Sequence, residues 1–155
     1  MTHHTNIAFW DRVADKYAAR PIKDVAAYEA MLADVASRLK PSDRVLEIGC
    51  GTGGTAIRLA PGVARWKAID ASPEMIRIAR AKPAPANLTF ETADADHSFD
   101  DGPHDAVCAF LILHLVPEMR ATLAALHRHL KPGGLLICKT YCLGDMNVAL
   151  RRIVI

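Results

Sequence analysis

The residues with the clearest chemistry form one run, Glu47-Ile48-Gly49-Cys50-Gly51-Thr52-Gly53-Gly54. Gly49, Gly51 and Gly54 satisfy the G-x-G-x-x-G pattern, so a nicotinamide or flavin enzyme is one reading. Glu47, two positions before the first glycine, argues for a different ligand. A pyrophosphate on the loop would lie near its carboxylate, and unit charges ~4 Å apart at an effective dielectric near 20 interact by about 4 kcal/mol. A ligand with an ammonium and a sulfonium but no phosphate would instead be attracted. Glycines would let the backbone approach its amino-acid portion closely. Asp70, roughly 20 residues further on, stands where an acidic side chain accepts from ribose hydroxyls. Adenine dinucleotides want the same contact, so Asp70 does not separate the two readings; it also has a competing role as a cap for the helix that begins near Pro73.

His114 is the candidate general base, because a reference pKa of about 6.5 suits proton abstraction. Its competing role is to cap the loop in which it stands. His97 and His104 occupy an Asp-rich loop and are expected to face solvent. Phe9, Trp10, Tyr17 and Arg20 precede the glycine run, and Trp10 and Tyr17 have a plain reading as core anchors. Cys50, Cys108, Cys138 and Cys142 lack the paired spacing of a zinc site, so no metal is expected. They read as buried, reduced thiols of a cytoplasmic protein.

The elements that must position these residues follow from periodicity. Apolar residues recur at spacings of three and four from Asn6 to Arg20, an amphipathic helix ended by Pro21. Asp24 caps a second helix with Tyr28, Met31, Leu32, Val35 and Leu39 down one face. Arg44–Ile48 is a short apolar run closed by glycines, as expected of a buried parallel strand. Helices follow at Thr55–Ala60 and from Ser72 to about Ala81, and a further one at Pro117–Leu130. Strands are expected at Arg65–Ile69, Leu88–Ala93, Asp105–Leu111 and Leu135–Tyr141, with Lys131-Pro132-Gly133-Gly134 as a turn. Strands alternating with helices imply an α/β fold with a parallel sheet and right-handed crossovers. A chain of 155 residues is long enough for one domain that buries about 68–70% of its unfolded surface. Residues 1–40 read as a helical cap segment and 41–155 as the ligand-binding core. A net charge of +2 without a Lys/Arg cluster gives no support to a nucleic-acid partner, and no apolar run is long enough to span a bilayer.

Val45-Leu46-Glu47-Ile48-Gly49-Cys50-Gly51-Thr52-Gly53 resembles the first motif of class I S-adenosylmethionine-dependent methyltransferases, and Ala68-Ile69-Asp70-Ala71-Ser72-Pro73-Glu74-Met75 is similar to the second. Ala93-Asp94-Ala95 resembles the acidic turn after strand three. Asp105-Ala106-Val107 with Leu113-His114 resembles the strand-four region, and Leu130-Lys131-Pro132-Gly133-Gly134 the turn before strand five. The likeness runs from Tyr17 to Tyr141, nearest to the small-molecule branch that includes quinone-biosynthesis-type enzymes. It implies a Rossmann-like three-layer sandwich with five parallel strands in the order 3-2-1-4-5, and S-adenosylmethionine as cofactor. It further implies that Gly49, Cys50, Gly51 and Gly53 line the methionine portion, with Glu47 orienting it, Asp70 on the ribose, and Ala71 and Met75 flanking the adenine. Asp94 would accept from the exocyclic amine, the Ala95 amide would donate to the ring, and Tyr17 and Phe110 would complete the site. For Met75 the alternative is helix-core packing, and for Asp94 a plain loop carboxylate.

Under this resemblance the acceptor is a small molecule. Ala109-Phe110-Leu111-Ile112-Leu113 is not the Asn/Asp-Pro-Pro-aromatic motif of base-amino methyltransferases, and no Pro-Cys dipeptide exists to attack a cytosine ring. A non-catalytic cofactor-binding module and, behind it, an NAD-dependent oxidoreductase remain as alternatives. The family's sheet normally continues into an antiparallel hairpin, whereas here Asp145–Arg152 would only begin the next helix. A truncated fold with strand five as an exposed edge is therefore expected, with pairing of two copies through that edge.

Overall fold

The computed structural model describes residues 3–97 and 100–141. Helix α1 (His3–Ala18) and helix α2 (Val25–Arg38) precede the sheet. Asp24 caps α2 as expected, its Oδ1 accepting from the Ala27 amide at 2.9 Å, and Pro41 lies just past the end. Strand β1 (Arg44–Ile48) is buried from Val45 onward, the pattern of a strand covered on both faces. It leads through the glycine loop into helix α3 (Gly54–Leu59), then to strand β2 (Arg65–Asp70) and helix α4 (Pro73–Arg80). Ser72 starts α4 by accepting from the Met75 amide at 3.1 Å, and Pro73 supplies a pre-set φ at the first helical position. Strands β3 (Leu88–Thr92) and β4 (His104–Phe110), helix α5 (Met119–Arg128) and strand β5 (Leu130–Lys139) complete the described elements.

The strands form one parallel sheet in the order β3-β2-β1-β4-β5. That is the expected α/β Rossmann-like arrangement. One face packs Val45, Trp66, Ala68, Phe90 and Cys108 under Leu32 and Val35 of α2, Ala56 of α3 and Ile76 of α4. The other packs Leu46, Ile48, Ile69, Val107 and Ala109 against Leu113 and Leu126 of α5. Burial of an aliphatic side chain such as Leu46, fully inaccessible, contributes about 1.5–3 kcal/mol. Helix α1 lies against α4, held by an Arg77–Asp15 ion pair at 2.9 Å and by Ser72 Oγ donating to Asp11 Oδ1 at 2.5 Å.

Cys138, expected to be a buried thiol, is exposed on β5, and two further expectations need correction. His104 does not face solvent: it is 2% exposed, because β4 begins one residue earlier than the pattern suggested and the His104 amide donates to the His129 carbonyl at 2.7 Å. Burial accordingly pushes its imidazole pKa down. Second, Lys131–Gly134 is not a turn before the fifth strand but lies within β5, as an irregularity in its pairing with β4 between His104 and Ala106. Gly133, at φ +76°, absorbs the distortion, as glycine does at a bulge. Cys142 and the expected segment beyond it fall outside the described residues.

Candidate functional site

The chain runs from β1 out to β2 and β3, then crosses to β4 and β5, so the C-terminal tip of β1 is the switch point where open α/β sheets bind ligands. The glycine loop sits there and is tied down by backbone. The Cys50 amide donates to the Ile69 carbonyl at 2.9 Å, the Gly53 amide to the Cys50 carbonyl at 3.0 Å, and Lys82 Nζ to the Thr52 carbonyl at 2.7 Å. Two glycines are required by close approach. A Cβ on Gly49, at φ +63°, would stand 2.7 Å from the Ile112 side chain; one on Gly53, at φ +77°, would stand 2.6 Å from the Phe90 ring. The missing side chain of Gly51 has only Tyr17 nearby, 4.0 Å away, leaving a cradle between loop and ring. The protein's own side chains thus fill two of the three spaces, and the third opens onto Tyr17.

Two carboxylates flank this loop. Glu47 is 2% exposed, and the Trp66 indole Nε1–H donates to its Oε2 at 3.0 Å. Burial pushes the carboxyl up to about 8 against the lowering effect of that hydrogen bond, with Asp70 raising it further. Asp70, at the tip of β2, accepts from the Gly51 amide through Oδ2 at 2.8 Å and from the Ser72 amide through Oδ1 at 2.9 Å. Its pKa is also raised, first by burial and then by Asp11 and Asp94, while the two amides pull it down. Burial thus favours the neutral acid at Glu47, and a cation docked beside these groups would favour their ionised forms.

The remaining expected residues fall around the strand tips. Ala71 is half-buried beside Asp70, and Met75, 3% exposed, is an interior side chain of α4. Asp94 is exposed in the loop after β3, close enough to raise the Asp70 pKa; the Ala95 carbonyl accepts from His129 Nε2 at 2.8 Å, tying that loop to the end of α5. Tyr17 stands edge-on to Trp10 with centroids 5.9 Å apart, and its hydroxyl pKa is raised by desolvation and then by Asp70. Phe110 is placed differently from the loop residues: it lines a groove of about 490 Å³ with Met31 and Val35 of α2 and Ile137–Thr140. Ile112 is the residue after β4 that touches the glycine loop. Leu111, at φ 56°, makes the reversal that swings Ile112 inward, in a region that costs a non-glycine residue energy.

His114 follows that reversal. Its Nδ1 lies 3.4 Å from Thr140 Oγ1, and its ring meets Tyr141 edge-on at 4.9 Å. Burial pushes its pKa down, which keeps the ring neutral near pH 7. Trp66, Ile112, Thr140 and Tyr141 were not singled out from the sequence. Trp66 alone carried a signal, since an indole in a buried strand needs a partner for its N–H. Among the described residues no group of three or more His, Cys, Asp or Glu is arranged to hold a metal, and no helix is long and apolar enough to cross a membrane.

Comparison with known proteins gives the family and the fold. Residues 45–134 match a family model described as "Methyltransferase domain". The biotin biosynthesis bifunctional protein BioCD of Bordetella avium is 37% identical over 84% of this chain, and the ubiquinone biosynthesis O-methyltransferase of Xanthomonas axonopodis pv. citri is 31% identical over 90%. The chain spans 29% of the length of the first and 64% of the second. A solved structure titled "DhpI-SAH complex structure" superposes with a TM-score of 0.76 at 24% identity, covering 88% of this chain and 68% of that one, and so shares the fold. The residues present fit the cofactor of such a family: a cradle stands beside Gly51, with the acids Glu47 and Asp70 close to the same loop. The chain belongs to the class I S-adenosylmethionine-dependent methyltransferases, with S-adenosylmethionine as its cofactor.

Proposed function

We propose that this chain transfers a methyl group to a small-molecule acceptor. The observation that carries the reading is the placing of buried Glu47 and part-buried Asp70 beside one glycine loop, carboxyl groups whose ionised form an ammonium stabilises and a pyrophosphate opposes. Bound S-adenosylmethionine supplies a methyl group on an activated sulfonium leaving group, ready for in-line displacement. The chain's own task is alignment and exclusion of water. Glu47 holds the amino-acid head, Gly49, Cys50, Gly51 and Gly53 line it, and Tyr17 closes over the cradle. Asp70 exchanges its backbone partners for ribose hydroxyls; Ala71 and Met75 flank the adenine, and Asp94 and the Ala95 amide read its edge. Phe110 belongs to the wall behind the loop.

His114 takes a proton from the acceptor where the acceptor needs it. With Nδ1 facing the Thr140 hydroxyl, Nε2 is the nitrogen presented to the acceptor, and Tyr141 forms the flank of that subsite. Partners follow from the same reading: a small-molecule acceptor, no nucleic acid, and a second copy paired through β5, whose Leu135 and Leu136 are 44% and 41% exposed. The buried thiols of Cys50 and Cys108 fit a reducing, cytoplasmic setting.

The test is a calorimetric titration with S-adenosylhomocysteine and with NAD, followed by transfer of labelled methyl to a panel of small acceptors. Micromolar binding of the first and none of the second is expected, with label transfer lost at least tenfold in His114→Ala. Preference for NAD would overturn the assignment; cofactor binding without transfer to any acceptor would support a non-catalytic module.

A further inference from the structure

Glu47 is held by a partner that no general requirement for an acid at this position supplies. Trp66 is wholly buried two residues before the Ala68 that pairs with Glu47, on the same face of the sheet, so its indole reaches diagonally across β1 and β2 to the carboxylate. Buried next to Glu47 are Cys108, its register partner on β4, and Cys50 of the loop; Asp70 is the ionisable group at the tip of β2. Both thiols are themselves pushed up by burial and by Glu47, so both stay neutral beside it. The helices over this face bring no cation to the carboxylate either. Arg58 of α3 is paired with Glu29 and Arg38 of α2 with Asp34 on the surface; from α4, Arg77 binds Glu74 and Asp15, and Arg80 binds the Phe90 carbonyl. Tyr28 and Thr55 bond to each other. The Trp66 N–H is therefore the one side-chain donor given to Glu47 by the described residues.

We propose that Trp66 is a positioning residue of the cofactor site, fixing the Glu47 carboxyl so that docking of the ligand's ammonium is coupled to release of the Glu47 proton to solvent. The inference rests on the proposed cofactor reading. Without a cation, burial favours the neutral acid; an ammonium beside it favours the carboxylate, so the proton must leave as the ligand enters. The indole hydrogen bond lowers the cost of that ionisation and keeps Oε2 in place while Oε1 meets the ligand. Cofactor affinity then depends on pH through Glu47, and only for ligands that carry the amino-acid head.

Binding of S-adenosylhomocysteine and of methylthioadenosine, which shares the adenosine and sulfur but lacks the ammonium, separates this from every effect of Asp70 on the ribose. For the wild-type chain, titrations from pH 6 to 8 should show S-adenosylhomocysteine affinity rising several-fold per pH unit while methylthioadenosine affinity stays within about twofold. Titration heats in two buffers of different ionisation enthalpy should report release of close to one proton with the first ligand and none with the second. Trp66→Phe should weaken S-adenosylhomocysteine at pH 7 about tenfold, the worth of one hydrogen bond to a charged group, and move the rise to higher pH, leaving methylthioadenosine unchanged. Glu47→Gln, which keeps Trp66, should flatten the pH profile. Parallel pH profiles for the two ligands, or equal weakening of both in Trp66→Phe, would overturn the inference while leaving the cofactor reading intact. A wild-type chain that binds neither ligand would overturn both.

Discussion

At the residue scale Glu47 works against the stability of the fold that holds it. Its folded pKa of about 8 lies above that of an exposed glutamate, so the native state prefers the protonated form. The stabilisation this confers is complete below the unfolded pKa of about 4.5 and declines as pH rises toward 8, where the buried group ionises. Glu47→Gln keeps the shape and removes the titration. At pH 8 it should therefore raise the thermal midpoint above that of the wild-type chain, by a stability change on the order of a few kcal/mol, with the difference shrinking toward pH 5. The same substitution should cost S-adenosylhomocysteine affinity, a stability–function exchange expected where a charge is buried for binding. Calorimetric scans across that pH range check it, and an unchanged midpoint at all pH values would mean that Glu47 is solvated in solution.

At the scale of elements, the glycine loop is shaped by its neighbours as much as by its ligand. Gly53→Ala would force a Cβ to within 2.6 Å of the Phe90 ring and 3.1 Å of Ala79 at a φ of +77°. Strain in the left-handed region and overpacking together should destabilise by roughly 3 kcal/mol. Gly54→Ala is the control, because nothing lies within 4 Å of the added Cβ and the site opens α3; it should be neutral or slightly stabilising. Urea midpoints with unchanged slopes distinguish the two. The same elements show why β1, β2 and α4 could be read in advance while the start of β5 could not. Buried runs bounded by Gly, and a Ser-Pro helix start, are local signals. The Lys131–Gly134 segment carries turn residues yet lies within a strand, because Leu130 before it and Leu135 onward after it pair with β4 and hold it as a bulge, with Lys131 meeting Asp105 at 2.8 Å.

For the whole molecule the uneven feature is the β5 edge. The interior faces of β1, β2 and β4 are closed, whereas β5 is half-buried at best along its length. Exposed Leu135 and Leu136 on an edge strand form a template for a second copy under the dimer proposed above. Leu136→Lys should shift sedimentation toward monomer at micromolar concentration without lowering cofactor affinity, since the glycine loop lies at the tip of β1 and not on that edge. A wild-type chain that sediments as a monomer at all concentrations would reject the dimer.

What could be known from the sequence alone was local or periodic: strands with continuous apolar runs, their parallel sense with right-handed crossovers, the loop glycines, and acids at two strand tips, while the strand order came from the family resemblance. Those features depend on residues near one another in the chain, or on rules that bind all α/β folds. The tertiary structure decided what those acids touch. The partnership of Glu47 with Trp66 spans 19 positions, the tie of Asp70 to Gly51 another 19, and the meeting of His114 with Thr140 spans 26; no spacing rule announces any of them. Burial is likewise a property of the assembled sheet, which is why Glu47 looked like a charge at a strand tip and proves to be an acid in the interior, and why His104 was expected in water and lies in the core.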